Sequence, residues 1–193
     1  LGEDTSIMRT IALPSMLEIL SRNNAYHNKA AKLYEVAKVY LPQPGEKLPQ
    51  EPKMLMLGTY GSGETFFTLK GELEGIFRAL RMKKTEYTAE KNNPSYHPGR
   101  CASISIDCEV IGVMGQVLPL FAKNYGIDSE VYCAELNFTK MLGLRLPDPT
   151  FTALPKYPAV SRDLALICSE DITVAQVEEV ISASAGKLLR KIQ

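Results

Sequence analysis

The strongest constraint on the fold is the run of residues 54–60 (MLMLGTY), which is apolar at nearly every position. A short continuous apolar run of this kind is typical of a strand buried within a sheet. We therefore predict a strand here, central in its sheet. Residues 33–40 (LYEVAKVY) are β-branched and aromatic with partial alternation, and they predict a second strand. Residues 41–52 between them contain four prolines and predict an extended loop.

Two stretches place apolar residues at helical spacing. Proline in the first turn and leucines at 13, 17 and 20 predict a helix from Thr10 or Pro14 to Asn24. A strongly amphipathic helix over residues 68–82 is predicted by one apolar face, formed by Leu69, Leu73, Ile76, Phe77 and Leu80.

The three glycines at 58, 61 and 63 lie where a phosphate-binding loop could lie. They lack the Gly-Lys-Ser/Thr ending that places a lysine on a phosphate, and no dinucleotide-binding spacing fits. A flexible turn is the preferred interpretation.

From residue 101 the apolar period changes to two. The alternation up to Ile106, the polar residues 107–109 and the run to Val117 predict a β-hairpin. A short helix over residues 119–124 and a strand over residues 131–138 follow. Antiparallel strands with helices between them predict an α+β domain.

Residues 145–158 contain prolines at 147, 149, 155 and 158 and predict a domain boundary. Beyond it we predict a strand at residues 164–167 and a helix that begins at Thr173. Gln176 has the spacing of a capping box with Thr173, and Gly186 is placed for a C-terminal cap. Val177, Val180 and Ile181 would form the buried face of this helix. Since the chain then enters another predicted strand and stops, we expect this second domain to be incomplete here.

Composition narrows the class of protein. The 193 residues are 45% hydrophobic and 23% charged, as in a globular protein. The 22 basic residues balance the 22 acidic ones, which argues against a free-standing RNA-binding domain with a basic surplus. No run of 18 apolar residues predicts a membrane span. Because the chain starts at Leu1 without a signal-like segment, we expect a piece of a longer protein.

The cysteines and histidines do not predict a metal site. Cys101, Cys108, Cys133 and Cys168 form no C-x-x-C pair, and there are only two histidines. A zinc cluster would need long-range convergence, so buried, reduced thiols are favoured, together with a cytosolic location.

Six runs resemble the β subunit of bacterial-type phenylalanyl-tRNA synthetase, in order and spacing, across nearly the whole chain. The two most specific are residues 97–102 (HPGRCA) and residues 154–166 (LPKYPAVSRDLAL). The others are residues 1–10 (LGEDTSIMRT), 13–17 (LPSML), 33–36 with 39–40 (LYEV, VY) and 67–71 (FTLKG).

The resemblance implies a fold for each part of the chain. Residues 1–148 would be the catalytic-like module, an inactive class II synthetase fold in which helices flank an antiparallel sheet. Residues 151–193 would begin a ferredoxin-like anticodon-binding domain. Family members assemble as an α2β2 heterotetramer with the active site on the α subunit, use ATP and magnesium, and bind tRNA(Phe) through the complete C-terminal domain.

Amino-acid activation requires stabilisation of negative charge on the ATP phosphates. Class II enzymes supply one arginine from a strand–loop–strand motif and another from a glycine-rich strand followed by a helix. Residues 33–60 contain lysines at 38, 47 and 53 but no arginine, and residues 131–142 replace the glycine-rich strand with CAELN. Lysine lacks the planar fork of arginine, and Glu135 would repel a triphosphate. We therefore predict no catalytic residue, no metal site and no cofactor in this chain.

Four further residues are candidates for function. We predict that residues 97–99 form a turn before the next strand and that Arg100 bonds to backbone, although a catalytic His97–Arg100 pair is conceivable. Lys156 and Arg162 are candidate tRNA contacts, since basic side chains on such domains position the RNA backbone. Ion pairs within the fold, or contacts at a helix end, are the alternative for both.

The expected function is therefore a non-catalytic structural and α-subunit-binding module of phenylalanine-tRNA ligase, inactive alone, with the start of its anticodon-binding domain. Two alternatives stay open: a class II-like module that still binds ATP or an amino acid, and a stand-alone RNA-binding protein. The missing arginines count against the first, and zero net charge with an incomplete second domain counts against the second.

Overall fold

The computed structural model describes residues 2, 6–151, 153–154 and 156–192. Parts of the motif runs at residues 1, 3–5 and 155, and the end of the predicted final strand at residue 193, lie outside the described residues. The chain divides into two compact units, Leu1–Asp148 and Pro149–Gln193.

The first unit is built on one six-stranded sheet in which every neighbouring pair is antiparallel. The strands are β1 (Ala31–Lys38), β2 (Lys53–Tyr60), β3 (Thr85–Ala89), β4 (Tyr96–Ile106), β5 (Glu109–Val117) and β6 (Val131–Asn137). Their spatial order is β1-β2-β6-β5-β4-β3, so β6 lies between β2 and β5. The predicted α+β class is confirmed.

Helices cover both faces of this sheet, because each face carries apolar side chains that must be buried. One face packs against α1 (Leu13–Ala25) and α3 (Pro119–Asn124), and the other packs against α2 (Phe66–Ala79) and α4 (Phe138–Gly143). The apolar run predicted as a central strand is β2, which lies inside the sheet, one strand from its edge.

Local sequence signals explain how these elements begin and end. Pro14 lies in the first turn of α1, where its missing N–H costs no helical hydrogen bond. Thr65 caps α2 through a capping box with Thr68. Gly61 and Gly63 turn the chain between β2 and α2 with φ values of 128° and 89°, which other residues rarely adopt. Gly58, by contrast, lies within β2 and not in the turn.

The predicted turn at residues 97–99 is wrong, because these residues belong to β4. The pairing of β4 with β5 shifts register between Tyr96 and Cys101, and this irregularity accommodates a proline, which cannot donate a ladder hydrogen bond. The sequence also did not predict β3, whose five residues alternate poorly.

The second unit contains α5 (Val174–Ala185) followed by a 3₁₀ turn at Gly186–Leu188. The capping box of Thr173 and Gln176 and the C-terminal cap at Gly186 are confirmed. The predicted strand at residues 164–167 is wrong, and so is the predicted buried face of α5, none of whose residues is buried. A strand needs a hydrogen-bonding partner and a helix face needs a packed layer, and the described residues of this unit supply neither.

The expectation of buried cysteines holds for two of the four. Cys101 and Cys133 are buried on the sheet, whereas Cys108 and Cys168 are exposed, and all four are free. Burial raises the pKa of the Cys101 thiol to about 11 and raises that of Cys133 further, so both stay protonated at neutral pH. Cys108 is exposed because it lies in the tight β4–β5 turn with a positive φ of 64°.

Candidate functional site

The two regions that the resemblance assigns to the class II phosphate-binding motifs lie side by side in the sheet. The strand–loop–strand region is β1–β2, and the strand–helix region is β6–α4. Because β2 pairs with both β1 and β6, Glu35, Met56 and Glu135 form one cross-strand row. The sheet therefore brings these two regions together.

The face of the sheet that carries this row is filled by α1. Met16, Leu17 and Leu20 are each at most 2% exposed and pack against it. The side chain of Met16 fits so closely over Gly58 that a Cβ there would lie 2.6 Å from Met16 Cγ. Side chains of the protein itself thus occupy the space above the strands.

Glu135 completes the start of α1. Its Oε1 accepts a hydrogen bond of 2.7 Å from the backbone N of Ala12, the N-cap residue, whose own side chain cannot cap a helix. Desolvation raises the pKa of Glu135, and the bond from Ala12 and the charge of Arg9 oppose that shift. This carboxylate holds a helix in place, a role that nothing local in the sequence signals.

Arg9 contacts this row through Glu35, and its other donors are engaged as well. Its guanidinium donates to Glu35 at 3.1 Å, to Ser15 at 3.0 Å and to the carbonyl oxygen of Lys38 at 3.0 Å. These contacts tie the segment before α1 to β1. In the sequence Arg9 stands out only as part of a family motif, and no local signal predicts this role.

The lysines of the two motif regions do not converge on the α1-covered face. Lys32 and Lys38 point to the other side of β1, where Lys38 pairs with Glu51 at 2.8 Å. On α4, Lys140 pairs with Glu109 at 3.0 Å. The residues present therefore do not fit an ATP clamp, since the strands supply no arginine and these two lysines are already neutralised by carboxylates.

Arg100 belongs to a polar cluster at the end of β4, β5 and β6. Its Nη1 donates to Gln116 Oε1 at 3.0 Å and to Glu130 Oε1 at 2.9 Å, and the Tyr132 hydroxyl donates to Glu130 Oε2 at 2.7 Å. Hydrogen bonds from Tyr132 and Arg100 lower the pKa of Glu130. The expectation that Arg100 bonds to backbone is therefore wrong, because its partners are side chains.

His97 does not join this cluster. Its Nδ1 accepts a 3.1 Å hydrogen bond from the backbone N of Gly99, which closes the irregular start of β4. The structure thus gives His97 and Arg100 separate contacts. Among the described residues, no three His, Cys, Asp or Glu side chains are grouped so that they could hold a metal ion.

The candidate tRNA contacts, Lys156 and Arg162, both lie on the second unit and are exposed. Within the described ranges, neither side chain has an ion pair or a hydrogen bond. Their role as RNA contacts stays a prediction.

Comparison with known proteins identifies the family of this chain. Residues 1–138 match the family model described as the phenylalanyl tRNA synthetase beta chain CLM domain. The chain belongs to the phenylalanyl-tRNA synthetase β-chain family.

Curated relatives in this family match the chain throughout. The phenylalanine–tRNA ligase β subunit of Clostridium tetani is 40% identical over 194 residues, which are 100% of this chain and 24% of that protein. The β subunit of Bacillus subtilis is 32% identical over 203 residues, covering 100% of this chain and 25% of that protein. The chain therefore spans about a quarter of the length of the curated relatives it matches.

Solved structures share the fold over about two thirds of the chain. A pyrrolysyl-tRNA synthetase of Desulfitobacterium hafniense matches with a TM-score of 0.58 at 13% identity, over 69% of this chain and 48% of that one. At this identity the likeness shows the fold alone, and the class II synthetase fold implied by the resemblance is confirmed. None of the helices in the described ranges is long and apolar enough to cross a membrane.

Proposed function

We propose that this chain is a non-catalytic structural module of phenylalanine-tRNA ligase that binds the α subunit. The observation that carries the proposal is the missing cation clamp, since residues 33–60 and 131–142 contain no arginine and Lys38 and Lys140 are paired with Glu51 and Glu109. We assign the ligase activity to the holoenzyme that contains both subunits. In it, ATP and magnesium would be used on the α subunit.

The energetic cost of lacking the two phosphate-binding arginines supports a module without catalytic activity. Removing one preorganised donor from a developing negative charge typically costs about 2.7–4 kcal/mol, or roughly 10² to 10³ in rate. Two arginines are absent here, and the carboxylates of the row are engaged inside the fold, Glu35 by Arg9 and Glu135 by the backbone of Ala12. What persists is a packed α+β scaffold that is suited to holding partners.

For the second unit we propose the beginning of a ferredoxin-like anticodon-binding domain. The capped helix α5 is one element of such a domain, and Lys156 and Arg162 are exposed for contact with tRNA(Phe). We further propose an α2β2 assembly located in the cytoplasm, where tRNA is charged.

The test measures phenylalanine-dependent pyrophosphate exchange by the full β subunit with and without α. We expect no exchange from β alone, and full exchange once α is added. Lys38→Arg in β should leave exchange unchanged in both samples, because the second contact and its orientation remain absent. Exchange by β free of α would establish that this module still binds and activates ATP.

A separate measurement addresses partner binding. Tagged full-length β should copurify stoichiometrically with untagged α, and Leu20→Ala, which loosens α1, should lower the yield of the complex. The surface control Ile19→Ala, on the same helix, should not. Equal yields from wild type and Leu20→Ala would show that this module does not contribute to binding of the α subunit.

A further inference from the structure

The helix α2 ends in a backbone conformation that is unusual for the residue that adopts it. Arg81 has a φ of 56°, in the left-handed region. Its N–H donates to the carbonyl oxygen of Arg78 at 3.1 Å, and the N–H of Met82 donates to that of Phe77 at 2.8 Å. These two bonds form a Schellman motif, in which the left-handed residue is usually glycine because glycine has no Cβ. An arginine at such a strained position indicates that its side chain has a specific contact to make.

The residues that lead out of the first unit are fastened to this turn. The N–H of Leu146 donates to the carbonyl oxygen of Arg81 at 2.8 Å, and Arg145 forms an isolated antiparallel bridge with Met82. Arg145 Nε also donates to the carbonyl oxygen of Leu80 at 3.1 Å. Carbonyl groups in the last turn of a helix lack partners within the helix and carry partial negative charge, so a guanidinium suits this position.

The side chain of Arg81 reaches the last residue of the first unit. Its Nη1 lies 3.7 Å from Asp148 Oδ1. Because the Asp148 side chain is 96% exposed, this ion pair is weak alone, and it acts together with the shorter bonds of the preceding residues. We call the four residues that fasten the end of the first unit the clasp: Arg81, Arg145, Leu146 and Asp148.

Beyond the clasp the chain becomes an extended link. The described residues of 149–158 are exposed and contain no helix or strand. An open clasp would add residues 145–148 to this link and lengthen it by roughly 40%. The effective concentration of a tethered module falls with about the −3/2 power of the length of its link, so it would drop by a factor of about 1.7.

We propose that the clasp fixes the point at which the chain leaves the first unit and thereby strengthens tRNA binding by the assembled ligase. A short link keeps the basic side chains of the second unit at high local concentration around a tRNA that the enzyme holds. Arg81 and Arg145 are positioning residues and contact no RNA themselves. The effect on tRNA rests on the anticodon-binding role proposed for the second unit, whereas closure of the clasp does not.

The experiment uses the full-length subunit assembled with α and the double variant Arg81→Gly/Arg145→Gln. Glycine suits the left-handed position, so the turn that ends α2 persists and only the side chains of the clasp are lost. Amide exchange in a peptide that covers residues 144–149 should accelerate about five- to ten-fold. The KM for tRNA should rise by a factor of about 1.7 or more at unchanged kcat. Phenylalanine-dependent pyrophosphate exchange, which uses no tRNA, should not change.

Two further variants serve as controls. Lys140→Gln removes a cation that is paired with Glu109 from the nearby helix α4, and it should change none of these measurements. Arg145→Lys keeps a cation at the end of α2 and should stay close to wild type in peptide exchange and in the KM for tRNA.

Unchanged exchange of residues 144–149 in the double variant would overturn the proposal, and so would faster exchange with an unchanged KM for tRNA. A loss of pyrophosphate exchange would also overturn it, because the variant would then have a general structural defect. The proposed role of the second unit fails separately, if substitution of Lys156 and Arg162 leaves tRNA binding unchanged. Peptide exchange would still show whether the clasp closes.

Discussion

Single glycines determine how closely the strands of the first unit approach each other. A Cβ at Gly112 would lie 2.2 Å from the carbonyl oxygen of Glu135, and one at Gly115 would lie 2.6 Å from that of Arg100. Both obstacles are backbone atoms, which cannot rotate away as a side chain can. These two positions in β5 therefore have no room for any other residue.

We predict that Gly112→Ala destabilises the protein by about 3 kcal/mol, at the upper end of the usual cost of overpacking. Urea unfolding measures the change. Gly71→Ala is the matched control, since Gly71 lies in α2 with open space around it. It should stabilise by about 0.5–1 kcal/mol through helix propensity. Equal effects of the two variants would show that close strand approach is unimportant.

Glu135 gives a prediction about pH. Burial raises its pKa above the ordinary value of 4.5, so the folded state binds the proton more tightly than the unfolded state does. Ionisation therefore costs stability as pH rises from 4.5 towards the folded pKa, and the cost is absent below that range. Glu135→Gln keeps an oxygen for Ala12 and cannot ionise.

The stability of Glu135→Gln relative to wild type should consequently increase as pH rises from about 4.5 and then level off. Thermal melts across a pH series measure this difference. A flat difference would show that the pKa of Glu135 is the same in the folded and unfolded states, and a difference that declines with increasing pH would show that ionisation stabilises the fold.

The contacts of these residues could not be read from the sequence. Glu135 bonds to Ala12 at a separation of 123 residues, and Arg100 bonds to Glu130 at 30. Such pairs depend on strand order, which periodicity does not specify. The absence of arginine from the motif regions, by contrast, needs no structure, and it is the basis for predicting an inert module.

At the scale of elements, the buried face of α1 contributes strongly to the stability of the first unit. We predict that Leu20→Ala, at a fully buried position, costs about 2–5 kcal/mol because a cavity forms between α1 and the sheet. Ile19→Ala, at a neighbouring position that is 39% exposed, should cost less than about 1 kcal/mol. Chemical denaturation of both variants tests whether this helix is an integral part of the core.

The helix α5 depends on its cap far more than on packing. None of its residues is buried, so the capping box at Thr173 is a large part of its support. Thr173→Ala should weaken the helix by about 1 kcal/mol. Amide hydrogen exchange should accelerate in α5 and stay unchanged in β2. A uniform change in both elements would contradict the idea that α5 is stabilised independently of the sheet.

Strong periodicity predicts elements well, and weak periodicity does not. The predictions of α1, α2, α3, β2, β6 and the β4–β5 hairpin are confirmed within a few residues at their ends. Residues 164–167 have the composition of a strand, but pairing depends on a neighbour that local sequence cannot supply. The first residues of β4 contain a proline, and this is why the sequence pattern indicates a turn there.

At the scale of the whole molecule, zero net charge limits RNA binding to local contacts. We predict that Lys156→Gln and Arg162→Gln each weaken tRNA binding by the full αβ complex, with little change in preference among tRNAs. The slope of log affinity against log salt should fall by roughly 0.7–0.9 for each phosphate that is no longer neutralised. An unchanged slope would show that both side chains make contacts within the protein and do not contact RNA phosphates.

The position of β6 between β2 and β5 has a consequence for biosynthesis. The β1–β2 ribbon is made before β3, β4 and β5, and its inner edge stays open until β6 has followed them. The N-terminus of α1 likewise lacks its hydrogen bond to Glu135 until β6 has been made. An exposed strand edge in a nascent chain invites wrong pairing. The sheet is closed by its last strand, and folding of the first helix is completed only then.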